Sequence, residues 1–153
     1  MKRMELMQRY LEQKHRTTLA HEQYLNTQRE YAPGTALYMR EIHFLVALGP
    51  DGPASVSSLA QKLEVTLGAV SQMAARLEKK GCVTRTPDPK NRRRTLVSLT
   101  EKGQRLYREH LDYDQANLAR LAAYFSDFSD AELQRLIDAE IVFQQALRRH
   151  VPE

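Results

Sequence analysis

Residues 66–81, TLGAVSQMAARLEKKG, constrain the rest of this chain more than any other stretch. Thr66 is a good helix start, because its hydroxyl can accept from a free backbone N–H of the first turn. Gly81 is a good stop, because glycine takes the left-handed geometry that ends a helix. Between them Leu67, Val70, Met73, Ala74 and Leu77 recur on one side at helical spacing. Gly68, Ala69, Gln72, Ala75, Arg76 and Lys79 take the other side, with Ser71 at the border and Glu78 towards the flank. The outer face is small, amide-bearing and cationic, with no acid. Small residues permit close approach, and Gln and Arg can read base edges in a DNA groove.

A shorter amphipathic helix precedes it, with Ser57 as its expected cap and Val56, Leu59, Ala60 and Leu63 as its stripe. A tight turn around Val65 joins the two into a helix-turn-helix. After Gly81 the pattern changes to that of strands. Residues 82–86 are rich in β-branched types, and residues 87–91, PDPKN, carry turn chemistry. Arg92, Arg93 and Arg94 follow, and then Thr95, Val97 and Leu99 alternate along a second strand. The expectation is a hairpin with a basic tip opposed only by Asp88. A helical hairpin alone is common, and a charge run is usually a solvated face. Their direct succession points to double-stranded DNA, because cations at a loop tip can neutralise phosphates or enter a minor groove.

In these stretches the chain resembles the MarR family of winged-helix transcriptional regulators. The matching residues are Leu59-Ala60, Val65-Thr66, Gly68-Ala69-Val70-Ser71, Arg76-Leu77-Glu78-Lys79-Lys80-Gly81, Asp88-Pro89-Lys90-Asn91-Arg92-Arg93 and Leu99-Thr100-Glu101-Lys102-Gly103, in the family's order and spacing. Asn91 stands where the family's wing often has an aspartate, which leaves Asp88 as the acid that would orient the wing. The resemblance implies major-groove contacts by Thr66, Ala69, Ser71, Gln72, Arg76 and Lys79, and wing contacts by Arg92, Arg93 and Arg94. It also implies that the terminal helices pack across a two-fold axis into a homodimer. Recognition helices spaced about 34–36 Å apart would then fit a near-palindromic site.

Length and composition agree with one compact domain of 153 residues, with a net charge of +4 and a pI of about 9.3 that permit an anionic partner. The expected architecture is mainly α with a small β-hairpin wing. Residues 35–100 form the winged helix-turn-helix lobe, flanked by dimerisation helices in residues 1–34 and 101–153. Residues 1–29 read as one long polar helix with too little apolar surface to stand alone, and Pro33-Gly34 breaks it. A second helix spans residues 38–48, although Tyr38 cannot cap it as threonine would. A short strand at residues 54–56 is expected to join the wing sheet. A long helix over residues 101–125 carries Leu106, Tyr107, His110, Leu111, Asp114, Leu118, Leu121 and Phe125 on its inner band. Ser129 and Glu132 form a capping box for the last helix.

The lone cysteine, Cys82, excludes an internal disulfide and reads as a core residue. No apolar stretch is long enough for a membrane span or signal peptide, so the cytoplasm is the default. The sequence has no glycine-rich phosphate loop, paired-cysteine site or nucleophile elbow, which argues against an enzyme. A non-specific architectural DNA binder is the competing class, and Gln72 and Arg76 argue instead for sequence reading.

His43, His110 and Asp114 form the remaining constellation. His110 and Asp114 are four apart and share a helical face, a workable spacing for two ligands of zinc or manganese. The contexts Glu41-Ile42-His43 and Glu109-His110 resemble the zinc-responsive branch of the MarR family, in which a second-helix histidine meets a His-x-x-x-His pair. Here Asp114 replaces the second histidine of that pair. A fourth ligand would come from His21, Glu22 or water, and Glu41 with Glu109 could build a second site. Ordinary histidines at a helix contact are the competing reading. The family resemblance implies an effector near the junction of the dimer helices and the DNA lobe, either a metal or a small aromatic or lipidic molecule.

Overall fold

A computed structural model describes residues 2–149. Its elements run α1 (Lys2–Leu25), β1 (Gln28–Ala32), β2 (Thr35–Tyr38), α2 (Met39–Leu48), β3 (Ala54–Ser55), α3 (Val56–Leu63), α4 (Leu67–Lys79), β4 (Val83–Asp88), β5 (Asn91–Leu99), α5 (Glu101–Tyr124) and α6 (Asp130–Arg148). Six helices with a small wing make this a mainly helical winged helix-turn-helix. Packing divides the chain into two units, Met1–Leu111 and Asp112–Glu153.

The first unit holds the core. Leu37, Ile42, Leu45, Leu59, Leu77 and Val97 are fully buried or nearly so, and they come from β2, α2, α3, α4 and β5. Cys82 is buried with them, and burial pushes its thiol above the usual range despite the opposing charges of Lys102 and Lys80. The sheet order is β3-β5-β4, with Ala54 opposite Val97 and Arg85 also paired to Val97 from the other side. The short strand expected before α3 is therefore present.

Three local expectations need correction. The first helix ends at Leu25 rather than at residue 29, and Met1 lies outside the described residues. Asn26 and Thr27 fold their side chains back onto the carbonyls of Glu22 and Gln23, which closes the helix. The chain then forms an unexpected antiparallel hairpin, β1–β2, around Pro33-Gly34. Thr35 and Leu37 are buried while Ala36 and Tyr38 are not, the period-2 signature of a strand. The cap of α3 is Ser55, whose hydroxyl accepts from the Ser58 N–H at 3.1 Å, not Ser57. Leu67 is 57% exposed, so the inner stripe of α4 begins at Val70. Tyr38 precedes α2 without a capping side chain of the usual kind. There Glu41 reaches back to accept the Tyr38 N–H at 2.9 Å.

In the second unit Ser129 and Glu132 form the expected reciprocal cap: the Ser129 N–H donates to Glu132 at 2.8 Å, and the Glu132 N–H to Ser129 at 3.3 Å. No residue of α6 is buried.

Candidate nucleic-acid interface

Helix α4 begins as its sequence dictates. Thr66 is extended, and its hydroxyl accepts from the Ala69 N–H at 3.2 Å. Val70, Met73, Ala74 and Leu77 anchor the inner side. Ala69, Ser71, Gln72, Arg76 and Lys79 are all exposed. The Arg76 guanidinium lies 3.8 Å from the sulfur of Met73, which places its charged end beside the inner stripe of α4. At the far end, Gly81 takes a φ of +71° and turns the chain into the wing.

The base of the wing is fixed by the run 99–103. The Thr100 hydroxyl donates to the Gly81 carbonyl at 2.7 Å and accepts from the Gly103 N–H at 3.1 Å. Lys102 donates to the Lys80 carbonyl at 2.9 Å. Gly103 faces the Cys82 carbonyl so closely that a Cβ would collide with it. One short stretch thus caps α5 and ties it to the end of α4.

The wing arginines sit on a strand rather than at the tip. β5 starts at Asn91, and the turn is Pro89-Lys90. Arg92 and Arg94 therefore project to one face and Arg93 to the other. All three are exposed and make no salt bridge among the described residues. Asp88 does not orient them: its carboxylate accepts the Lys90 N–H at 2.8 Å. The Asn91 amide oxygen likewise accepts the Arg93 N–H at 3.1 Å, a backbone role that needs no charge.

Two cavities border α4. One of about 330 Å³ has Leu25, Phe44, Val65 and Met73 on its apolar wall, with Arg40 and Arg76 also lining it. The other, of about 290 Å³, shares Arg40, Met73 and Arg76 and adds Asn26 and Tyr38. Arg40 is paired with Glu22 at 3.1 Å across an exposed surface. Sequence reasoning missed Arg40; its position four residues before Phe44 on α2 is the only signal that it shares this wall.

The histidines of the first unit do meet. The rings of His43 and His110 are 5.2 Å apart, and the Tyr31 hydroxyl lies 2.9 Å from Nδ1 of the fully buried His110. Tyr31 comes from the unexpected hairpin, so no sequence periodicity could have paired it with a residue 79 positions away. Asp114 belongs to the second unit. Glu41 and Glu22, named as possible further ligands, are engaged by Lys80 and Arg40. Among the described residues no group of three His, Cys, Asp or Glu side chains gathers in metal-binding geometry.

A helix-turn-helix with an exposed amide- and arginine-bearing face, joined to an arginine-rich wing, defines a DNA-binding transcriptional regulator. The comparisons with known proteins agree. The MarR family profile matches residues 37–95. The chain is 34% identical over 87 residues to the HTH-type transcriptional repressor MdtR of Bacillus subtilis, a match covering 57% of this chain and 56% of MdtR. The crystal structure of Streptococcus pneumoniae FabT in complex with DNA superposes with a TM-score of 0.68 at 22% identity, covering 96% of this chain and 99% of that one. Zinc-responsive ZitR of Lactococcus lactis superposes with a TM-score of 0.70 at 18% identity, covering 92% and 99%. Residues 37–95 thus match the MarR family, and the chain is similar to transcriptional regulators rather than to enzymes. No helix among the described residues is long and apolar enough to cross a membrane.

Proposed function

We propose that this protein is a homodimeric repressor that reads a near-palindromic operator and responds to a small effector. The observation that carries the reading is the exposed face of α4 beside the wing arginines on the same unit. Thr66, Ala69, Ser71, Gln72, Arg76 and Lys79 enter the major groove, and Arg92, Arg93 and Arg94 hold the flanking backbone or minor groove. The similarity to MdtR, a repressor, favours repression over activation. Residues 35–100 act as the DNA lobe and the terminal helices as the dimerisation element. The dimer is supported by α6, which buries nothing while exposing Leu136, Ile137, Ile141, Val142 and Leu147. Exposed apolar residues on one helix mark an interface, and a second copy is the occupant that a two-fold operator requires. The test is selection of duplexes from a random pool, followed by footprinting and light scattering. Two protected half-sites about one helical turn apart under a dimer support the proposal. Equal affinity for scrambled duplexes would instead make the protein an architectural binder.

The effector reading rests on the larger cavity. An apolar wall with Arg40 and Arg76 at its edge suits a small amphipathic anion, and Arg76 would then be shared between ligand and DNA.

A metal reading stands beside it because of the histidine pair. Two imidazoles on one tetrahedral zinc have ring centres roughly 5 Å apart, which the His43–His110 separation matches. His43 and His110, both in the first unit, would hold the ion, and the ion would supply a fixed bridge between α2 and α5. Titration of the selected operator in chelator and in saturating zinc or manganese separates the two readings. Equal affinity in both removes metal as the effector.

A further inference from the structure

The outer wing has almost nothing to rest on. Beyond Val83 and Val97, residues 84–87 of β4 and 91–95 of β5 are all exposed. β4 is also an edge strand, paired only with β5. Its outward N–H groups face away from the ladder and need other acceptors. Glu78, on the flank of α4, supplies one. Its carboxylate accepts from the backbone N–H of Arg85 at 3.2 Å and from Nε of Arg85 at 2.8 Å, while Nη2 lies 2.7 Å from the same carboxylate. One acid on the recognition helix thus grips both the backbone and the side chain of the wing's edge strand.

We propose that Glu78 is a positioning residue for DNA binding: through Arg85 it fixes the angle between the recognition helix and the wing. The two elements must meet a groove and the neighbouring backbone at once, so their relative angle is part of the binding geometry. From Val83 to Asp88 the strand extends roughly 17 Å. A tilt of roughly 10° at its root would move the tip by roughly 3 Å over that length, enough to break a hydrogen bond to phosphate. Glu78 is also the only acid on α4. On charge alone it should repel DNA, so the positional role and the electrostatic role predict opposite effects of its removal.

The inference rests on α4 and the wing being the DNA-contacting elements, and Arg93→Ala tests that reading separately. The parent, Arg93→Ala, Glu78→Ala, Glu78→Gln, Arg85→Ala and the double Glu78→Ala/Arg85→Ala variants are titrated with the operator selected by the parent and with a scrambled duplex. Glu78→Ala is expected to lose about tenfold in operator affinity while its scrambled-duplex affinity holds or rises. Retained scrambled binding also reports that the variant is folded. Glu78→Gln, which can still accept the backbone N–H, should fall between Ala and the parent. The double variant should be no weaker than Arg85→Ala alone, because one interaction is removed twice. Operator binding by Glu78→Ala as tight as the parent's or tighter would overturn the proposal, as would additive losses in the double variant. Unchanged operator affinity in Arg93→Ala would instead remove the wing contact on which the proposal stands.

Discussion

The Lys80 ammonium, at the end of α4, lies 2.6 Å from the carboxylate of Glu41 in the first turn of α2. Glu41 is 4% exposed and Lys80 33%. The same ammonium donates to the Ala36 carbonyl at 3.2 Å and sits 5.8 Å from the centre of the Tyr38 ring. The hairpin, α2 and α4 thus converge on one cation. Replacing it by Lys80→Met should leave a buried carboxylate without its counter-charge and cost about 3 kcal/mol. Urea unfolding checks this; a loss under about 1 kcal/mol would place the pair among ordinary surface bridges.

Gly103 is required for space rather than for backbone freedom. A Cβ at this position would collide with the Cys82 carbonyl, which is backbone and cannot swing away. Gly103→Ala should therefore destabilise by about 3 kcal/mol. Protein that still folds should bind DNA more weakly, because the displaced carbonyl belongs to the root of the wing. A melting temperature unchanged from the parent's would refute it.

The two kinds of arginine should fail differently on DNA. Arg76→Ala should relax base preference at one position per half-site at a cost of about 1–3 kcal/mol. Arg93→Ala should weaken binding to many sequences and shallow the salt dependence. Competition assays over single-base operator variants at two salt concentrations distinguish them. Equal loss on every sequence for both variants would contradict this division.

Acid should weaken the fold through specific carboxylates. The backbone N–H of Ser129, followed by its hydroxyl, holds the Glu132 carboxyl below the ordinary glutamate value of 4.5, and the Arg85 side chain does the same for Glu78. In each case the unfolded chain binds the proton more readily. The stabilisation is thus fully present above 4.5 and is lost as pH falls through the lower folded value. Glu132→Gln should flatten the decline of melting temperature below pH 4.5. An identical acid profile for parent and variant would show that the cap is not linked to protons.

The bounds and inner stripe of α4 and the cap of α6 were legible because local chemistry decides them. Thr66, Gly81, the spacing of Val70 to Leu77, and the Ser129–Glu132 box act within a few residues of themselves. The β1–β2 hairpin was not legible. Its strand character is carried by Thr35 and Leu37, a pair too short for periodicity to separate from a loop. Tyr31 meets His110 only after the hairpin has formed. The wing arginines were legible as a group but not in their register, because the turn falls at Pro89-Lys90 and Asn91 already pairs with Asp88. Asp88 looked like a partner for the arginines, yet its own turn takes its carboxylate.

The exposed edge of β4 carries a further consequence. N–H groups along a strand point alternately to its two sides. That of Arg85 turns outward and is held by Glu78, so the next outward position is Pro87, which has no N–H to offer. A foreign strand approaching this edge would find one donor occupied and the next missing. Many copies crowded along DNA could not zip together through their wings into a continuous sheet, and the same two residues that shape the wing guard it against self-association.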